Sequence, residues 1–296
     1  MIAAPLFHSW GFAHFSLGLA LNSTYVLQRK FDPEATLQAI EEQGATALVV
    51  VPVMMQRILQ LDEATLAKYD LPSLRVTAAS GSALPGPLAT KWMDHFGENL
   101  YNLYGSTEVA WATIATPADL RAAPGTAGKP PRGTVVKIVD QEGKGEMPKG
   151  ETGRVFVGNE MAFEGYTGGG AKDTYQGLLS SGDVGHFDPD GRLFIDGRDD
   201  EMIVSGGENV FPREVEDLIA GLGAVKEVAV IGVDDDDFGQ RLKAFVVADD
   251  GEELGADEVK AYVKKNLARY KVPREVEFLD SLPRNATGKV LKRELT

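Results

Sequence analysis

The stretch Tyr101 to Glu108, YNLYGSTE, gathers groups suited to one kind of chemistry. Gly105 admits close backbone approach, and the Ser106 and Thr107 hydroxyls, with the loop amides, suit phosphate oxygens. The lone carboxylate of Glu108 suits Mg2+. Ser80-Gly81-Ser82-Ala83-Leu84 is a second run of small residues, and further candidates follow at Asp183, Arg198 and Lys289, with His8 in an aromatic N-terminal segment. Taken singly, each has a plain structural reading. His8 reads more readily as a core histidine, Asp183 as a turn residue and Lys289 as a surface cation, and most loops at strand ends bind nothing.

These groups matter only if the fold brings them to one edge. Asp32-Pro33 is an N-cap followed by proline at the first helical position, which opens a helix over Glu34 to Gln43 that Gly44 closes. The continuous apolar run Ala45 to Val51 predicts a strand buried on both faces, followed by helical spacing over Pro52 to Leu61. A strand over Leu74 to Ala78, a helix over Pro85 to Phe96 and a strand over Tyr101 to Tyr104 complete a β/α alternation. That order predicts a parallel sheet with right-handed crossovers, and ligands of such sheets lie beyond the carboxyl ends of the strands. Both small-residue loops, at Gly81 and Gly105, would open there.

From Pro117 to Asp196 the texture changes to short strands (Val135 to Val139, Arg154 to Val157, Leu193 to Ile195) with frequent glycine and proline, a β-rich unit resembling a small barrel. After the charged stretch Gly197 to Glu201 come a helix over Pro212 to Leu222, strands over Val228 to Val233 and Leu242 to Ala248, and a helix over Ala256 to Ala268. The expected fold class is therefore α/β: a partial parallel α/β subdomain over 1–116, a β-rich subdomain over 117–196, a hinge at 197–201 and a compact α+β C-terminal domain over 202–296. A chain of 296 residues is long enough for two or three such units.

Composition narrows the partners. With 30 basic and 44 acidic residues the formal charge is −14, which argues against a nucleic-acid or anionic-membrane binder. An anionic ligand would need Mg2+ and a few local cations. Zero cysteines removes disulfides, cysteine zinc sites and thiol nucleophiles, and fits a cytoplasmic protein. The most apolar run, Ala45 to Met55, is too short for a transmembrane segment and is broken by Pro52. Four look-alikes drop out. Gly165 to Lys172 misses the G-x-x-x-x-G-K-[ST] spacing by one position and reads as a flexible surface loop. Asp234 to Asp237 lacks calcium-loop spacing, Asp280-Ser281-Leu282 sits before a proline rather than at a helix start, and the four histidines are scattered.

In order along the chain, PLFHSWG (Pro5 to Gly11), SGSALP (Ser80 to Pro85), YGSTE, SGDVGHFDPDG (Ser181 to Gly191), GRDDEMIVSGGENVFPREVE (Gly197 to Glu216) and PRNATGKVLKREL (Pro283 to Leu295) resemble the segments of the adenylate-forming enzymes. That family includes acyl-CoA synthetases, firefly-type luciferases and peptide-synthetase adenylation domains. The resemblance implies ATP, Mg2+ and coenzyme A as cofactor and co-substrates, with a small carboxylic acid. Asn102 would bond the adenine and Tyr104 stack on it, with Gly81, Ser82 and Ala83 along its other side. Gly105 and Ser106 would shape the nucleotide loop, Thr107 would hold the α-phosphate and Glu108 the Mg2+. Asp183 would accept both ribose hydroxyls, with Arg198 nearby. Lys289 would bridge the substrate carboxylate and the α-phosphate. His8, Trp10 and Gly11 would form the acid pocket, with His8 as its gate, Asp200 would be the hinge, and Ser205, Gly206 and Gly207 would line the CoA tunnel.

The family's Ser/Thr/Gly-rich loop for the outer phosphates has no counterpart, and the chain begins abruptly in MIAAPLFHSWGF. The expectation is therefore a C-terminal portion of an acid:CoA ligase, acting on a fatty or other apolar acid as Leu6, Phe7, Trp10 and Phe12 suggest. The absence of a carrier domain after Thr296 favours a CoA ligase over a peptide-synthetase domain. The rival expectation is a non-catalytic truncated product, or half of a split enzyme that binds its missing N-terminal half; a further alternative is an adenylation domain or luciferase-like member of the same family.

Overall fold

The computed structural model describes every residue except Gly169, Asp250, Glu252, Glu253, Ala286 and Thr287. In chain order the elements are α1 (Ser9–Ala20), α2 (Pro33–Gln43), β1 (Ala47–Val50), α3 (Pro52–Leu59), α4 (Glu63–Leu66), β2 (Val76–Ala79), α5 (Gly86–Phe96), β3 (Leu100–Ser106), β4 (Ala110–Ala115) and α6 (Pro117–Ala122). Then come β5 (Val135–Val139), β6 (Gly153–Gly158), β7 (Thr174–Tyr175), β8 (Leu178–Phe187), β9 (Leu193–Arg198), β10 (Ile203–Ser205), β11 (Glu208–Val210), α7 (Pro212–Ala220), β12 (Val225–Asp235), β13 (Gly239–Ala248), α8 (Ala256–Asn266) and β14 (Glu275–Phe278). The chain divides into two compact units, Met1–Glu151 with Val155–Ser181 and Phe187–Phe194, and Thr152–Arg154 with Gly182–His186 and Ile195–Thr296.

In the first unit a sheet runs in the order β1-β2-β3-β4. β1, β2 and β3 are parallel, with Val50 opposite Ala79 and Ala79 opposite Asn102, so β1 and β2 end level with Asn102 while β3 runs on past that edge. Asp32 caps α2 by accepting from the Ala35 N–H at 2.8 Å, and Gly44 ends it in the left-handed region at φ +58°. Leu37 and Ile40 of α2, Met55 and Ile58 of α3, and Trp92 and Met93 of α5 pack with Leu48, Val50 and Leu100 into one core. A buried polar link sets the register of α5 on the sheet. The Asn99 Oδ1 accepts from the Thr77 hydroxyl (3.1 Å) and the Trp92 indole (3.3 Å), while its amide donates to the Phe96 carbonyl (2.8 Å). A satisfied network of this kind specifies one packing.

Two features depart from the sequence expectation. The aromatic N-terminal segment is a helix, α1, whose apolar residues ring it without a polar face: Trp10 is buried, but Phe12, Leu17 and Leu19 are exposed. And the strand expected to end at Tyr104 runs on through Ser106, then reverses into antiparallel β4, so the polar loop is the tip of a hairpin.

A second sheet has the order β5-β6-β8-β7, with β9 on β8, and is the β-rich unit anticipated from the turn-dense sequence. In the second unit the order is β11-β10-β13-β12, with β14 parallel to β13. The period-two alternation of β13 separates two faces. Ala244 and Val246 pack with Val215 and Ile219 of α7 and Val259 and Val263 of α8, whereas Phe245 and Val247 pack with Leu282 and Leu295 of the C-terminal tail.

Candidate nucleotide site

The β3–β4 hairpin has a bulge between Tyr104 and Gly105. A Cβ at Gly105 would lie 1.9 Å from the Ala110 carbonyl oxygen, so only glycine fits. Ala110 itself takes φ +56°, a left-handed conformation for a residue with a Cβ. The Ser106 hydroxyl organises the turn, accepting from the N–H groups of Glu108 (3.2 Å) and Val109 (3.3 Å) while donating to Glu108 Oε2 at 2.8 Å. Thr107 stands exposed at the tip.

Glu108 is held from the other side as well. The Tyr166 hydroxyl donates to Oε1 at 2.9 Å, and the Phe163 N–H donates to the Glu108 carbonyl at 2.8 Å. Burial pushes the carboxyl up, but the bonds from Ser106, its own backbone and Tyr166, with the charge of Lys172, outweigh it and leave the acid below its ordinary range. Glu108 is therefore ionised at neutral pH. The sequence treated Gly165 to Lys172 as an unrelated surface loop. The structure brings Tyr166 and the charge of Lys172 to the hairpin, while Gly169 lies outside the described residues. Only tertiary pairing reveals this, because Tyr166 lies 58 positions from its partner.

Behind the hairpin, Asn102 is 7% exposed, and its Oδ1 has no hydrogen-bond partner among the described residues. A buried acceptor left so is costly unless a ligand supplies the donor. Tyr104 donates its hydroxyl to Ser181 Oγ at 3.0 Å. Ser80 is buried where β2 ends; Gly81, at φ +93°, and Ser82 and Ala83 follow exposed. His8 caps α1 through a long bond from the Trp10 N–H (3.4 Å), Trp10 donates its indole to the Val50 carbonyl (2.9 Å), and a Cβ at Gly11 would strike the Pro5 carbonyl at 2.3 Å.

In the second unit, Arg198 bonds Asp183 Oδ1 at 3.3 Å and Asp200 Oδ1 at 3.1 Å. Burial opposes the Arg198 charge, and Asp200 and Asp183 more than restore it. Ser205 and Glu208 pair across Gly206 and Gly207, whose φ of +63° and +85° are what a two-residue hairpin demands. The Gly206 N–H donates to the Phe238 carbonyl at 2.9 Å. Lys289 is exposed; its N–H donates to Asn285 Oδ1 at 2.9 Å, and Arg284 donates to the adjoining Gly288 carbonyl. The rest of that loop, Ala286 and Thr287, lies outside the described residues.

An ionised carboxylate beside hydroxyls suits Mg2+, which keeps most of its waters and shares one or two carboxylates with nucleotide phosphates. Among the described residues there is no group of three His, Cys, Asp or Glu that could hold a metal ion. Likewise, no described helix is long and apolar enough to cross a membrane.

The loop with its ionised carboxylate lies at the carboxyl edge of a parallel sheet, and the sequence identifies the family. Residues 1–167 match the model of the AMP-binding enzyme and residues 214–289 that of the AMP-binding enzyme C-terminal domain. The chain belongs to this adenylate-forming family. It is 37% identical to a feruloyl-CoA synthase of Amycolatopsis sp, an alignment covering 100% of this chain and 60% of that protein. Among solved structures, the amide bond synthetase McbA from Marinactinospora thermotolerans superposes with a TM-score of 0.92 at 32% identity, covering 99% of this chain and 61% of that one. The o-succinylbenzoate CoA synthetase MenE from Bacillus subtilis, in complex with its acyl-adenylate intermediate, gives 0.87 at 29% identity, covering 99% and 60%. The chain thus spans about three-fifths of the length of these relatives.

Proposed function

We propose that this chain carries the adenylating and thioester-forming residues of an ATP- and Mg2+-dependent acid:CoA ligase that works through an acyl-AMP intermediate. The observation that carries the reading is the buried, donor-seeking Asn102 Oδ1 behind a hairpin tip that holds an ionised Glu108. In the first step a substrate carboxylate oxygen attacks the α-phosphorus of ATP and pyrophosphate leaves. In the second the thiol sulfur of coenzyme A attacks the acyl carbon, its proton is lost and AMP leaves. Asn102 accepts from the adenine amine, Tyr104 stacks on the ring, and Gly81 to Ala83 border its other side. Gly105 and Ser106 hold the loop and Thr107 donates to the α-phosphate. Glu108 would hold Mg2+, which supplies charge neutralisation at the phosphates. Asp183, braced by Arg198, takes the ribose hydroxyls.

Lys289 stabilises charge developing between carboxylate and α-phosphate, a role confined to the first step. Asp200 is the pivot between steps, Ser205 to Gly207 line the thiol path, and His8, Trp10 and Gly11 bound the acid. The exposed Phe7 and Phe12 beside them favour an apolar fatty or aryl acid, in line with the feruloyl-CoA synthase relative.

The closeness to an amide bond synthetase favours one second reading, in which an amine takes the place of the thiol. Feruloyl-AMP supplied to the chain separates these readings. With coenzyme A, feruloyl-CoA and AMP are expected in equal amounts, as fast for Lys289→Ala as for the wild type. Equal loss in that variant sinks the division of labour between the steps, and product only with an added amine selects the amide reading.

A further inference from the structure

Glu108 is gripped more firmly than its place on a hairpin tip requires. Ser106 donates to Oε2 at 2.8 Å and Tyr166 to Oε1 at 2.9 Å, so each oxygen keeps lone pairs for one further partner while the carboxylate can no longer rotate. Tyr166 is itself fixed by edge-on packing against Phe163 (4.8 Å between ring centroids), and the Phe163 N–H donates to the carbonyl of Glu108. The hairpin as such has a separate staple. The Asn159 side-chain amide donates to the carbonyls of Val109 (2.8 Å) and Trp111 (3.0 Å). The Tyr166 hydroxyl is therefore not needed to close the turn, and its one described contact is the carboxylate.

We infer that Tyr166 is a positioning residue for Glu108: its hydroxyl fixes where the carboxylate aims, and so sets how strongly the loop holds a divalent cation shared with nucleotide phosphates. The inference rests on the reading of Glu108 as the metal ligand. Partners that orient a ligating carboxylate change metal affinity by about 10- to 100-fold when removed, and the exposure of Tyr166 (46%) points to the lower end.

The test is ATP affinity by titration calorimetry, once with Mg2+ and once with EDTA, for the wild-type chain, Tyr166→Phe and Glu108→Gln. The readout is the ratio of the two dissociation constants, which a change in folding alone would not move. Tyr166→Phe keeps the ring packing and removes only the hydroxyl. The expected result is a Mg2+-dependent gain in the wild type that falls about tenfold in Tyr166→Phe, with the EDTA value unchanged, and vanishes in Glu108→Gln. A wild-type ratio in Tyr166→Phe together with a lost ratio in Glu108→Gln overturns the inference and leaves Glu108 as the ligand. The same ratio in all three proteins overturns both.

Discussion

Replacing Lys292 by alanine would strand two carboxylates in the second unit. The Lys292 ammonium lies 2.9 Å from Glu216 Oε1 and 3.0 Å from Glu201 Oε2, and Glu216 also accepts the Val230 N–H at 2.7 Å. The Lys292 side chain is 24% exposed and that of Glu216 17%, so water does little of the screening. Removing one member of a buried pair costs about 3–5 kcal/mol, and the residual exposure favours about 3. At roughly 4 °C per kcal/mol, the second unit should melt about 12 °C lower. Burial already pushes Glu216 up, against the pull of Lys292 and the Val230 N–H, and loss of the lysine lets it rise further. An acid whose folded pKa lies above its unfolded value stabilises most below the unfolded value and loses that contribution as pH rises through the folded one. The deficit of Lys292→Ala should therefore be larger at pH 8 than at pH 5. Burial lowers the Lys292 pKa but its two carboxylates raise it more, so the wild-type lysine keeps its charge until the pH passes the ordinary lysine range. Lys292→Ala with Glu216→Gln should recover about half the loss, because the more buried of the two stranded carboxylates is then neutral and only the half-buried Glu201 is left without its lysine. Urea melts followed by circular dichroism at both pH values supply the assay. A deficit below about 1 kcal/mol, or one that grows as pH falls, refutes the reasoning.

Gly105→Ala places a Cβ 1.9 Å from a backbone oxygen, and the hairpin must shift; a loss of about 3 kcal/mol is expected, together with loss of nucleotide binding, both read by thermal melts with and without ATP. The capping box of α6 offers a pH-dependent case. The Asp119 side chain accepts from the Thr116 N–H and hydroxyl, and although burial raises its pKa, those bonds and the nearby Lys129 and Arg192 leave it lowered. Such an acid stabilises above its unfolded value and loses that as pH falls through the folded one, so Asp119→Ala should cost about 1 kcal/mol at pH 7 and progressively less as the pH falls below the ordinary carboxylate range, in paired urea melts.

The parallel sheet was legible because its signals are local. Asp32-Pro33 and Gly44 bracket α2 by chemistry that needs no tertiary partner, and the apolar run Ala45 to Val51 supplies β1, buried from Leu48 to Val50 with Ala47 exposed at its start. Helix α1 was not legible, since Gly11 and Gly18 are weak helix formers and the apolar residues show no stripe. The β3–β4 hairpin was hidden for another reason: its tip, Thr107-Glu108-Val109-Ala110, lacks the Gly or Asn that ordinarily supplies a positive φ, and Ala110 adopts it anyway. The Gly206-Gly207 turn could have been read as a hairpin from the dipeptide itself. For the site, Gly105, Ser106 and Glu108 were visible as a run, but the Tyr166 and Asn159 contacts join segments about fifty residues apart, and no spacing rule reaches that far.

Asn102 has a consequence for how this protein can change. Its side-chain oxygen is buried without a donor among the described residues, a cost of about 1–3 kcal/mol to the free protein. An apolar side chain of similar size would remove that cost, so a search for stabilised variants should return to this position repeatedly. Yet the same unmet acceptor is what penalises any occupant that brings no donor, since a buried polar group left unpaired discriminates far more sharply than an apolar wall. If Asn102 meets the nucleotide as proposed, stability and discrimination oppose each other at this position.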